Sequence, residues 1–149
     1  MKRPISLLGA GLAALVSGTV AAAAEHPSAQ GARIQFVIAG EVLSATLVDN
    51  SASRDFLTRL PLEVELTDYA NTEKIFYPKP KLSTADVPDG MAADAGDITY
   101  YAPWGDVAIF HRSSEYASGL VPLGRFEDPR AIAVLSQKGP IAARIEPGR

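Results

Sequence analysis

The sequence has no cysteine, two histidines and one tryptophan in 149 residues. Without cysteine there is no disulfide, no thiolate nucleophile and no lipid anchor carried on a thiol. Stability must come from the packed core alone. Without a His/Cys cluster there is no structural zinc site. Gly-x-Ser-x-Gly is missing, and His26 lies in a short polar stretch. A nucleophilic pair would therefore have to join His111 to Ser113, Ser114 or Ser118. His111 ends a strand pattern, where a hydrogen-bonded structural role is the ordinary one. No glycine-rich phosphate loop is present, because Gly9 and Gly11 belong to an N-terminal apolar run. Asp86, Asp89, Asp94 and Asp97 lack the spacing of a calcium loop and read as a solvated acidic segment. No metal or cofactor is expected.

The N-terminus supplies a secretory pattern. Lys2 and Arg3 form a positive start, Ile5 to Val20 is apolar, and Ala22-Ala23-Ala24 offers small residues before Glu25. The run is broken by glycine and shorter than the roughly 20 apolar residues of a membrane span. Residues 1–24 are therefore expected to be a signal peptide, removed on export to the periplasm or the medium by the general secretory route. No stable membrane insertion is expected after cleavage. From Glu25 onward, 12 basic residues face 17 acidic ones, a formal charge of −5. That sign argues against nucleic acid and anionic membrane as partners.

Residues 25–32 read as a flexible lead-in, and residues 33–146 as one domain large enough to bury a core. Arg33 to Ile38 and Val42 to Val48 alternate about a Gly40 turn, which predicts a hairpin. Asp49-Asn50-Ser51 predicts a helix start, with the helix over 51–59 stopped by Pro61. Leu62 to Thr67 alternates with one wet face, and Glu73 to Tyr77 is a further short strand. Pro78 to Gly96 shows no period; it is either functional or a surface excursion packed on the domain. Strands follow at 98–101, 107–111, 120–126 and 141–145. Pro122 implies an edge or a bulge, and Asp128-Pro129 opens a second helix over 129–137. Eight short strands with two helices predict a mainly β sandwich or barrel.

The segments Ala45-Thr46-Leu47, Arg54-Asp55-Phe56, Leu60-Pro61-Leu62, Glu73-Lys74-Ile75, the run from Gly96 to Gly105, and Gly119 to Gly124 occur in an order that resembles a bacterial cyclophilin-like domain family of unknown function. The resemblance covers residues 33 to 127. It implies a closed eight-stranded cyclophilin-like barrel with two short helices, and no established activity. Cyclophilins themselves catalyse rotation about X–Pro bonds, whose barrier is about 18–20 kcal/mol. That chemistry needs an apolar pocket and an arginine donor beside the twisting amide. Cyclophilins carry a Phe-His-Arg triplet on the strand after the first helix. Here that strand, Leu62 to Thr67, has no arginine, and Phe110-His111-Arg112 lies strands later. The match is positional coincidence.

The aromatics Tyr69, Tyr77, Tyr100, Tyr101, Trp104 and Tyr116 gather in mid-chain. Tyr100 and Tyr101 are adjacent in a strand and must point to opposite faces, so one of them is available to an outer groove with Trp104. The alternative is a Tyr/Trp shell over the barrel mouth. Glu73 and Lys74 also alternate in facing, and Glu73 with Arg112 or Lys79 would make a polar edge. The candidate ligand-binding residues are Glu73, Tyr77, Tyr101, Trp104, His111, Arg112 and Tyr116. They favour a non-catalytic module binding a peptide or small ligand. A divergent peptidyl-prolyl isomerase, and an assembly partner with no small ligand, are the other readings.

Overall fold

A computed structural model describes residues 28–149. The expected signal peptide, and His26 with it, lies outside the described residues. Ten strands and two helices follow in the order β1 (Arg33–Ile38), β2 (Glu41–Leu47), α1 (Ser51–Thr58), β3 (Leu62–Tyr69), β4 (Glu73–Phe76), β5 (Gly90–Met91), β6 (Asp97–Tyr101), β7 (Asp106–Phe110), β8 (Ala117–Ser118), β9 (Leu120–Phe126), α2 (Arg130–Leu135) and β10 (Ile141–Pro147). Eight strands close into an antiparallel barrel, ordered β1-β10-β3-β4-β7-β6-β9-β2, and β5 pairs with β8 in a separate ribbon. The expected mainly β barrel with two short helices is what forms.

Local sequence explains most joints. Ala39 and Gly40 both take positive φ, 50° and 80°, between the paired residues Ile38 and Glu41. Such a two-residue turn matches the right-handed twist of its strands. Asn50 caps α1, its side chain accepting from Ser53 N at 2.9 Å. Ahead of α2 the N-cap is Pro129, and the Asp128 carboxylate before it accepts from Arg130 N at 2.9 Å. Pro122 sits beside a register shift between Ile98 and Thr99, so the expected irregularity is a bulge. A closed barrel has no edge strand for it to occupy.

Alternation sorts side chains into two cores. Phe36, Leu47, Leu66, Ile98, Tyr100 and Ile109 are buried in the main core, which also holds Phe56 of α1 and Leu135 of α2. Each such side chain contributes roughly 1.5–3 kcal/mol on leaving water. A second core, Ile75, Ala93, Ala108, Phe110 and Leu120, lies on the opposite face of the same strands. The chain after β4 and the chain after β7 cover this outer face. Strand β7 is accordingly buried at every residue, and from Val107 to Phe110 it reads as a continuous apolar run.

The segment Pro78 to Gly96 is held at both ends of its path. Asp86 accepts from Ser51 N and from Arg54, the latter at 2.7 Å, and these contacts hold its carboxyl down at about 2. Asp55 accepts from Ser83 N at 2.8 Å, and Leu82 N donates to the Tyr100 hydroxyl at 3.1 Å. Farther along, Ala93 enters the second core. The segment packs on the barrel along its length.

Candidate functional site

The groove lies on the outer face of β4, β7 and β6, under the turn between β6 and β7. It encloses about 230 Å³. Phe110, Leu120 and Ala117 give it an apolar floor, and Tyr69, Tyr101 and Trp104 give it aromatic walls. The Trp104 ring meets Tyr69 edge-on at 5.3 Å and 87°, and Tyr101 at 5.4 Å and 78°. Edge-to-face packing of this kind holds rings rigidly while leaving faces free. Trp104 remains 48% exposed and Tyr69 41% exposed.

Three carboxyls line the same space: Glu73, Asp106 and Glu115. Asp106 stands opposite Tyr101 across the β6–β7 pair and is only 2% exposed. Its Oδ1 is buried without a hydrogen-bond partner. Burial pushes this carboxyl above the ordinary range, against a hydrogen bond from its own backbone. Glu73 is raised in the same direction, first by burial and then by the charge of Asp106, with the Thr72 hydroxyl donating at 2.8 Å in opposition.

A raised carboxyl pKa means that the folded chain holds this proton more tightly than the unfolded chain. Stability then falls as the pH rises from the ordinary value of 3.8 through the raised value, and the cost persists above it. Asp106→Asn removes the charge that burial penalises and is therefore expected to raise the unfolding free energy at pH 7. The gain should shrink as the pH is lowered toward 4, a trend thermal melts across that range would record. An unchanged melting temperature at pH 7 would mean that Asp106 bears no such cost.

Of the sequence-predicted site residues, Glu73, Tyr101 and Trp104 come together here. The other four do not line the groove. Tyr77 follows β4 and is exposed, and Tyr116 is exposed over the β5–β8 ribbon. Arg112 is exposed beyond the end of β7. His111 is buried, because alternation along β7 sends Phe110 outward and His111 toward the barrel mouth. Burial and the charges of Lys74 and Arg112 lower its pKa, with Asp68 opposing them. Glu73 takes its hydrogen bond from Thr72, and neither Arg112 nor Lys79 joins it in an ion pair among the described residues. Tyr69, one of the mid-chain aromatics, together with Asp106 and Phe110, lines the groove without being among the candidate residues. Extending β3 by two residues would have found Tyr69, which pairs with Glu73. Asp106 reads as an ordinary turn residue until its burial is known.

A larger concavity of about 400 Å³ lies between α1 and the Pro78–Gly96 segment. Its charged side chains are already engaged with one another. Arg54 bonds Asp49 and Asp86, and Asp55 bonds Arg59 and Ser83 N. The aromatic groove instead keeps a buried acceptor with no partner.

Comparison with known proteins bears on the fold. A solution structure of a hypothetical protein from Archaeoglobus fulgidus superimposes with a TM-score of 0.61 over 82% of this chain and 98% of that one, at 13% identity. At that identity the likeness speaks for the fold alone. No curated protein matches the sequence. Residues 36–146 match the Cyclophilin-like family, a span that runs from the middle of β1 into β10 and takes in every strand of the barrel. The chain belongs to the cyclophilin-like family.

Proposed function

We propose that this protein is an exported, non-catalytic binding module whose aromatic groove takes a peptide or a small ligand. The observation that carries the reading is the groove itself: two exposed rings packed edge-on, an apolar floor, and a buried carboxyl with a free acceptor. Rings with an apolar body and a polar tip suit such surfaces, since they bury area at little cost in side-chain freedom. Export rests on the order of charged, apolar and small residues over 1–24.

The isomerase reading needs a donor aimed at a twisting amide. The charged groups that line the groove are carboxyls, which accept when ionised. Twisting an amide out of conjugation gains nothing from an acceptor placed there.

Trp104 is the only tryptophan, so its fluorescence reports the groove directly. Titration with capped tetrapeptides of differing charge is expected to give a saturable change. Trp104→Ala, followed by calorimetry, should weaken binding about tenfold, the loss of one well-packed aromatic contact. A protease-coupled Pro-peptide assay at micromolar protein should show no acceleration. Acceleration abolished by Trp104→Ala would replace the binder with an enzyme. A set of peptides that moves neither fluorescence nor heat would remove the groove from consideration.

A further inference from the structure

We infer that the groove selects an organic cation, an alkylammonium or guanidinium group, seated against Asp106 with its apolar stem across Tyr101 and Trp104. The inference rests on the binding reading above and narrows its ligand class.

Four observations converge. Every charged side chain lining the groove is acidic: Glu73, Asp106 and Glu115. Asp106 lines the groove, is 2% exposed and has an Oδ1 without a partner, so an unsatisfied carboxyl oxygen lies in the groove wall. A buried anion without a partner is costly to fold, and a donor cation is what relieves the cost. Tyr101 is the cross-strand neighbour of Asp106, and Trp104 packs edge-on against it. That places the Tyr101 ring next to the carboxyl on the same sheet face, with the indole against it, and aromatic rings with an acidic group suit ammonium and guanidinium groups.

The long axis fits a chain rather than a point ion. Glu73 stands opposite Phe110, four residues along β7 from Asp106. At the rise of a strand this is about 13 Å of backbone. Among the described residues no three His, Cys, Asp or Glu side chains come together as a metal site. The acidic groups are therefore spaced along an apolar trough. A lysine or arginine side chain of a peptide has the required shape, and so does a free diamine.

The test compares probes that differ only in charge. Capped Ala-Lys-Ala and Ala-Arg-Ala, the norleucine and glutamate counterparts, and cadaverine are titrated against the full mature chain by calorimetry. The lysine or arginine peptide is expected to bind at least about tenfold more tightly than the norleucine peptide, as a charged hydrogen bond would provide. Asp106→Asn should erase most of that preference, the lysine-to-norleucine affinity ratio falling toward one. Glu73→Gln should reduce it less. Cadaverine binding as tightly as the lysine peptide would assign the site to free amines; a preference for peptide would assign it to basic segments. Norleucine or glutamate peptides binding as well as lysine would overturn the cation and leave the groove a binding site. Failure of every probe, neutral or charged, would remove both.

Discussion

Lys74→Ala is expected to lower the unfolding free energy by about 2–5 kcal/mol, the range for emptying a long enclosed side chain. Lys74 points into the barrel and is fully buried. Its ammonium donates to Asp68 Oδ1 and to the carbonyl of Gly139, both at 2.6 Å. Asp68 Oδ2 in turn accepts from Gly139 N at 2.6 Å. These three residues form a ring of contacts that ties the β3–β4 hairpin to the turn between α2 and β10. Lys74→Met keeps the volume and removes the charge, leaving the Asp68 carboxylate, 39% exposed, to Gly139 N and solvent; it should cost less than Lys74→Ala by the packing that alanine empties. Chemical denaturation of the two variants separates packing from charge. A loss as large for methionine as for alanine would mean that charge carries the site.

The same variant has a second readout at His111. The Lys74 charge helps to hold the imidazole below its ordinary value of 6.5. Lys74→Met should move the His111 titration upward in proton NMR. The sign of the acid response follows from both groups. A lowered histidine contributes stability that is lost as the pH falls below 6.5. The Asp68 carboxyl, lowered first by the Lys74 ammonium and then by Gly139 N, contributes stability that is present above 3.8 and lost as the pH falls through its lowered value. Acid therefore weakens this end of the barrel in two successive steps.

Lys74 also marks the limit of what sequence could tell. Period-two alternation places Ile75 and Glu73 on one face and Lys74 with Phe76 on the other, and the structure agrees. Alternation cannot say which face is inside when both are covered, and β4, β6 and β7 are covered on both. A lysine between a glutamate and an isoleucine looks like a wet residue. Only the closed mouth, with Gly139 brought 65 residues along the chain to meet it, makes the inside tolerable for an ammonium. The groove was partly legible for the same reason. Tyr101 and Trp104 stood out as a strand residue facing away from Tyr100 and a lone indole in a turn. Asp106 did not, because the outer face it shares with Phe110 is covered only by the two long segments after β4 and after β7. Those segments have no period; their order comes from contacts made 18 to 35 residues away, such as Leu82 with Tyr100 and Asp86 with Ser51.

Closure of the barrel rests on a residue that has no side chain. Gly124 of β9 pairs with Leu47 of β2 on one side and with Ile98 of β6 on the other. A Cβ built at Gly124 would stand 2.4 Å from the carbonyl oxygen of Thr46 and 3.0 Å from the Leu47 Cα. Both are backbone atoms, so no rotamer change relieves the overlap. The φ of Gly124 is not in the left-handed region, which makes the demand one of space. Gly124→Val should force β2 away from β9 and cost about 3 kcal/mol, the upper end of ordinary overpacking. For a domain of this size that is a fall of roughly 10 °C in melting temperature. Gly139 makes the useful contrast. It has φ +95 and nothing within 4 Å of its built Cβ, so Gly139→Ala there tests backbone conformation with no crowding. Its cost should stay near 1 kcal/mol, the usual scale for losing glycine's backbone freedom. The separation matters for the groove, because β9 carries Leu120 into its floor four residues before Gly124. A strand displaced at Gly124 should therefore weaken groove binding as well as folding, whereas Gly139→Ala should leave binding intact. Equal melting temperatures for Gly124→Val and the unaltered chain would mean that the contact between β2 and β9 at Gly124 does not limit closure of the barrel.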